Sequence, residues 1–108
     1  MTTGTRDDHP SVSVLMANYN SAPYLAAAIA SVLGQDFKSL ELILVDDGSS
    51  DGSVALAERI AAGDPRLRVF SGKRFGGPAP VRNFALDQAR GDWVAVGDSA
   101  RDHALHHQ

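Results

Sequence analysis

Cysteine is absent from this 108-residue chain, which removes disulfides and thiolate metal sites and leaves the redox compartment open. No apolar run approaches the roughly 20 residues that span a bilayer. The polar start from Met1 to Pro10 also lacks the apolar core of a signal peptide, so the reading is a cytoplasmic chain with no membrane segment. Basic residues are few and scattered: ten Lys and Arg stand against thirteen Asp and Glu, a formal net charge of −3, and no nucleic acid is expected as a partner. The glycine-rich segment Ser71 to Pro80 lacks the ordered lysine and hydroxyl residue of a P-loop, and no GxGxxG follows the first apolar run. The four histidines are His9, His103, His106 and His107, none at a strand end. A Ser-His-Asp triad is therefore unsupported, and the tail trio reads as solvated rather than metal-binding.

What the chain does have is 44% hydrophobic residues, enough for one compact domain of this length but not for two. Its organising stretch is Leu40 to Gly52, where the apolar run Leu42 to Val45 ends abruptly in Asp46 and Asp47, followed by glycine and small hydroxyl residues. Such a run fits a strand buried on both faces, and in open α/β sheets ligands collect where strand C-termini meet their loops. Asp47-Gly48 also suits a turn, and Ser50 or Asp51 suits a helix cap; one loop can do both jobs.

In chain order, Ser11 to Ala17 reads as a strand that ends at Asn18-Tyr19-Asn20. Ser21 then caps a helix with proline in its first turn, a core face of Tyr24, Leu25, Ala28, Ile29, Val32 and Leu33, and a stop at Gly34. Ser50 to Ala62 is a second helix, carrying Val54, Leu56, Ala57 and Ile60 on one side, and Arg66 to Phe70 is a strand. A loop from Ser71 to Pro80 leads into a third helix from Val81 to Arg90, with Val81, Phe84, Ala85, Leu86 and Ala89 as its core face and Gly91 closing it. Asp92 to Val96 is a short buried strand halted at Gly97-Asp98. Alternating strands and helices of these lengths predict an α/β fold, a mainly parallel four-stranded sheet with helices on both faces. Parallel strands send every C-terminus to one edge, so four loops converge there with carboxylates, an aromatic, cations and glycines. Tyr19 could stack on a base, Asp46 or Asp47 could accept a base N–H or a ribose hydroxyl, and Arg82 could reach a phosphate.

Val12 to Asn20, Leu42 to Asp51, Gly76 to Asn83 and Ala89 to Val96 together resemble the nucleotide-binding half of family 2 glycosyltransferases with the GT-A fold. The likeness runs from about Val12 to Asp98 and implies a Rossmann-like half-domain that binds a nucleoside-diphosphate sugar, a UDP-sugar above all, for transfer to an unknown acceptor. It implies nucleotide contacts at Asn18, Tyr19, Asp46, Asp47 and Arg82. It also implies a metal ligand at Asp98, matching the first carboxylate of an Asp-x-Asp motif that holds Mg²⁺ or Mn²⁺ against the diphosphate. Ala100 stands where the second carboxylate belongs, and a methyl group cannot coordinate a hard cation.

The segments expected are a flexible lead-in at 1–10, the nucleotide-sugar-binding domain at 11–98 and an atypical tail at 99–108. Only ten residues follow Asp98, so no acceptor-binding half and no catalytic base can be named, and little transfer is expected from this chain alone. The alternative is a non-catalytic α/β interaction module that self-associates as a homo-oligomer through the apolar surface a half-domain leaves bare. A phospho-receiver domain is disfavoured, because its acid pair would follow the first strand, where Asn18-Tyr19-Asn20 stands.

Overall fold

The computed structural model describes residues 10–35, 39–72 and 74–97. The lead-in before Pro10, Lys73, Asp98, Ala100 and the whole tail at 99–108 therefore lie outside the described residues. Strands and helices alternate: β1 (Val12–Asn18), α1 (Ala22–Leu33), β2 (Leu40–Asp46), α2 (Ser53–Gly63), β3 (Leu67–Phe70), α3 (Pro78–Gln88) and β4 (Trp93–Val96). All the strand pairs are parallel, and the order is β3-β2-β1-β4. The strand with the continuous run Leu42 to Val45 takes an interior place: β2 is buried at all seven positions. Side chains alternate between the faces of a strand, so neighbouring residues feed two cores. Val14, Met16, Leu42 and Leu44 pack against Leu25, Ala28, Ile29 and Ala57 of α1 and α2. Leu15, Ile43 and Val45 pack against Val81 and Ala85 of α3 on the opposite face. The expected α/β sheet with helices on both faces is thus what forms.

Several local expectations fail for tertiary reasons. The strand Trp93–Val96 is exposed at every position rather than buried, because it lies at the sheet edge while α3 packs over β1 and β2. Helix α3 begins at Pro78, three residues before the expected Val81: the first helical positions make no intrahelical N–H bond, so Pro78 and Pro80 fit there. It also ends at Gln88, with Ala89 extended, so Gly91 is not its cap. Ser21 precedes α1 but does not cap it, since its hydroxyl donates back to the Tyr19 carbonyl at 3.0 Å. Tyr24 and Leu86 point outward, at 54% and 44% exposure.

At the sheet end opposite the strand C-termini, Glu41 is 2% exposed. It accepts hydrogen bonds from Ser13 Oγ at 2.6 Å, Arg68 Nη1 at 2.8 Å and the Arg90 amide at 2.8 Å. Ser13 Oγ in turn accepts from the Gly91 amide at 2.8 Å, and Arg68 donates to the Gln88 carbonyl at 2.8 Å. One carboxylate therefore ties β1, β2, β3 and the α3–β4 turn together. Burial alone would raise its pKa, but the Ser13 hydroxyl, the Arg90 amide and Arg68 outweigh burial and hold it below the ordinary value of 4.5. A carboxyl with a depressed folded pKa adds stability that is complete above its unfolded pKa and is lost as pH falls through the folded value. Melts are therefore expected to show a loss of stability beginning near pH 4.5 and deepening below it. Glu41→Gln should lose about 2 kcal/mol at pH 7 and shed that acid-dependent part. An unchanged acid limb in that variant would show that Glu41 carries none of it.

Candidate functional site

The strand tips are stitched into one surface by side chains from neighbouring loops. Asp46, 2% exposed, uses both carboxylate oxygens inside the protein. Oδ1 accepts from Asn18 Nδ2 at 2.8 Å and Ser49 Oγ at 2.6 Å, and Oδ2 from the Gly48 and Ser49 amides at 3.1 and 2.8 Å. These bonds close the turn after β2 and hold it against the tip of β1. Asn20, in the left-handed region at φ 47° that asparagine tolerates, gives its amide to Ser49 Oγ and takes the Ser50 amide on its side chain, each at 2.8 Å. Asp51 serves two helices at once. It accepts the Ala22 amide of α1 at 3.0 Å and the Ser53 amide of α2 at 3.0 Å, along with the Ser53 hydroxyl. Those bonds, the hydroxyl's first, hold its carboxyl below the usual range. The cap that Ser21 fails to provide thus arrives from the next loop.

Asp47 points instead to the β3–α3 loop. Its carboxylate receives the amides of Phe75, Gly76 and Gly77, the last two at 3.1 Å. Phe75 is seated in the α3-side core, its ring 5.1 Å from that of Phe84. Burial works against the charge on Asp47, but the three amides and the nearby Arg74 outweigh it, and the carboxyl is held below its usual range. Arg74 crosses the loop with its guanidinium 5.8 Å from the centre of the Tyr19 ring. Its stem takes the room left by Gly48, where a Cβ would come within 2.5 Å of Arg74 Cγ.

These loops frame a cavity of about 550 Å³. Asn18, Tyr19, Asp47, Gly77 and Arg82 line it together with the apolar Leu15, Met16, Val81, Ala85 and Val96. Of the residues expected to contact a nucleotide, Asn18, Tyr19, Asp47 and Arg82 therefore meet at one hollow. Asp46 lies beneath it as the knot of the scaffold, and Asp98 is outside the described residues. The amide oxygen of Asn18 is buried with no hydrogen-bond partner, although its nitrogen is fixed by Asp46 and Ser49. Arg82 is exposed and makes no ion pair among the described residues. Prolines 78 and 80 have no N–H, and the Val81 amide is taken by the Gly77 carbonyl at 3.3 Å. That leaves the Ala79 amide alone at the first turn of α3, so any anion there depends on the Arg82 side chain far more than on helix amides.

Among the described residues no three carboxylate or imidazole groups come together as metal ligands, and the oxygens of Asp46 and Asp47 are faced by N–H and O–H donors. Sequence reasoning placed Asn20 and the loop carrying Arg74 at the strand tips without giving either a role, read Asp51 as a cap of the second helix, and passed over Ser49. The run of small hydroxyl and acidic residues after Asp47 was the available signal for two of them. Arg74 gave none, because its place beside Tyr19 depends on two loops meeting.

The profile of Glycosyl transferase family 2 matches residues 13–100. The Rhizobium meliloti succinoglycan biosynthesis protein ExoO is 42% identical over 93 residues, which is 86% of this chain and 26% of that protein. An uncharacterised glycosyltransferase of Haemophilus influenzae is 40% identical over 83% of this chain and 36% of its own length. Among solved structures, the Pyrobaculum calidifontis mannosyltransferase PcManGT, in complex with GDP-Man and Mn²⁺, superposes with a TM-score of 0.75 at 31% identity over 83% of this chain and 27% of that one. TarS 1–349 of S. aureus, in complex with UDP-GlcNAc, gives 0.73 at 34% identity over 82% and 26%. The chain thus spans about a quarter to a third of the length of these relatives, and its fold is that of the N-terminal part of the longer GT-A proteins. Since the profile matches residues 13–100, most of its length, the chain belongs to glycosyl transferase family 2.

Proposed function

We propose that this chain binds the nucleotide part of a nucleoside-diphosphate sugar, a UDP-sugar, in the cavity at the strand tips, and that it forms the donor-binding part of a glycosyltransferase. The observation that carries this reading is the meeting of Tyr19, Asp47 and Arg82 around one hollow whose walls are held by cross-loop hydrogen bonds. An aromatic face, a carboxylate whose Oδ2 takes only the Gly77 amide and so keeps a lone pair, and a guanidinium with no ion pair among the described residues match a base, its N–H or ribose hydroxyls, and a phosphate. The UDP form is supported by TarS in complex with UDP-GlcNAc at 34% identity; PcManGT in complex with GDP-Man makes guanosine the alternative to test.

Glycosyl transfer also needs an acceptor hydroxyl with a base beside it. The tip carboxylates among the described residues are occupied, so binding without appreciable transfer is the expected behaviour of these residues alone. A divalent ion enters this reading only through Asp98, and Ala100 removes the second carboxylate that would fix it.

Calorimetric titration with UDP, UDP-GlcNAc and GDP-mannose, with Mn²⁺ or with EDTA, tests each part. UDP-GlcNAc should bind, and EDTA should weaken it by less than about tenfold, the effect of losing one modest contact. Ala100→Asp should restore a clear Mn²⁺ response. Arg82→Ala should weaken UDP roughly tenfold or more, as expected for a charge-assisted contact, without moving the melting temperature. Absence of heat from every nucleotide, in protein shown to be folded, would remove the proposal.

A further inference from the structure

The backbone around Tyr19 is pinned on both sides, since Asn18 bonds to Asp46 and Asn20 exchanges hydrogen bonds with Ser49 and Ser50. The ring itself stands 45% exposed at the wall of the cavity, where turning about its side-chain bonds would spoil a stacking face. Against that ring lies the guanidinium of Arg74, 5.8 Å from its centre.

Three loops aim this arginine. Phe75, next in the chain, is seated by its ring against Phe84 and by its amide on Asp47, which fixes where the Arg74 stem begins. The stem then crosses Gly48, in the turn that Asp46 closes, where a Cβ would come within 2.5 Å of Arg74 Cγ and 3.2 Å of Cδ. Gly48 holds φ at 85°, so glycine suits that position for its backbone as well as for this passage. Tyr19 lines the cavity and Arg74 does not, so the guanidinium meets the ring from outside the hollow. A flat base slipped between the two would need two contact distances of about 3.5 Å each, more than the 5.8 Å between them.

We infer that Arg74 is a positioning residue: it backs the Tyr19 ring and holds it as a one-sided platform for the nucleobase, while touching neither base nor phosphate itself. The inference rests on the reading of the hollow as a nucleotide site. It gives the two arginines different work, since Arg82 lines the hollow and meets the phosphate directly, whereas Arg74 acts only through another side chain. The attraction of a cation for an aromatic face at an exposed position is worth about a two- to fivefold change in an equilibrium. A contribution made through the base platform must also appear as fully on a nucleoside as on its diphosphate.

Titrations of uridine and UDP, followed by NMR shifts, test this on a set of variants; guanosine and GDP replace them if the parent prefers guanine. Arg74→Ala should weaken nucleoside and diphosphate alike by about two- to fivefold, and Arg74→Lys should recover part of the loss. The melting temperature should stay within about 3 °C of the parent, as for other exposed substitutions. Tyr19→Phe keeps the ring, and in that background Arg74→Ala should cost the same factor. In Tyr19→Leu the ring is gone, and Arg74→Ala should then cost nothing further. Without any ligand, the Arg74 side-chain protons should lose their ring-current shift in Tyr19→Leu. A loss confined to UDP would put Arg74 on the phosphate, and an undiminished loss in Tyr19→Leu would put it on the base or the loop. Either result, unshifted Arg74 protons, or no loss in a parent that binds overturns the inference and leaves the nucleotide reading standing. A folded parent that binds neither nucleoside nor diphosphate removes that reading, and the inference with it.

Discussion

Gly91→Ala is expected to cost the fold about 3 kcal/mol, the upper end for forcing extra volume into a packed site, although it adds a single methyl group outside any helix or strand. A Cβ at that position would lie 2.7 Å from the Ser13 amide nitrogen, 2.8 Å from Ser13 Oγ and 2.9 Å from the Val12 carbonyl carbon. Two of these atoms are backbone of β1, which β2 holds in register along its whole length, so the strand cannot yield. The turn must retreat instead. That movement breaks the 2.8 Å bond from the Gly91 amide to Ser13 Oγ and pulls the Arg90 amide from buried Glu41. For a domain of about this size, 3 kcal/mol corresponds to a fall in melting temperature of roughly 12–24 °C. Because β4 follows directly, its pairing with β1 should loosen too, and hydrogen exchange at the Trp93 and Gly97 amides should quicken before that of β2. Gly63→Ala is the control: its Cβ meets nothing within 4 Å and the position is helical, so it should be neutral or slightly stabilising. A stable Gly91→Ala protein with unchanged exchange at β4 would show that the turn is not held against β1.

Gly91 also shows where reading the sequence reached its limit. A glycine after a helical pattern reads as a C-cap, and that inference is sound locally; the reason for this glycine is a strand distant in sequence, which no local pattern reports. The same holds for β4. Trp93 to Val96 is apolar enough for a core, and whether anything covers it depends on which strands α3 spans, a property of packing rather than of those four residues. Where the physics is local, the expectations held. The apolar runs of β1 and β2 and the helical spacing of Leu25, Ala28 and Ile29 each predict an element and its burial, and the order of strands and helices predicts the parallel sheet. The candidate site was legible to the level of which loops converge. It was not legible to the level of which side chain of a pair faces the hollow, because that follows from how neighbouring loops bond.

The carboxylate pair makes that distinction measurable, and the two substitutions should separate cleanly. Asp46→Ala removes the acceptor for Asn18 Nδ2, Ser49 Oγ and the amides of Gly48 and Ser49 beneath the surface. Buried donors left without a partner cost about 1–3 kcal/mol each, and part of that returns as the turn relaxes toward water. The expected loss is about 4 kcal/mol, seen as a melting temperature lower by roughly 15–30 °C. Asp47→Ala, at a half-buried position, frees the amides of Phe75, Gly76 and Gly77 where water can reach them. Its stability cost should be about 1 kcal/mol, but the loop that frames the hollow loses its anchor and the ligand loses a carboxylate. UDP affinity should therefore fall by roughly tenfold or more. Asp47→Asn should recover part of the melting temperature, since one amide oxygen can still accept from the loop, and little of the affinity, since the charge is gone. Melting curves and nucleotide titrations on the same three proteins decide the matter. If Asp46→Ala proves stable and fails only to bind, the inner carboxylate contacts the nucleotide and the scaffold lies elsewhere. If Asp47→Ala binds as the parent does, the outer carboxylate serves only the loop, and Tyr19 and Arg82 would have to hold the nucleotide without it.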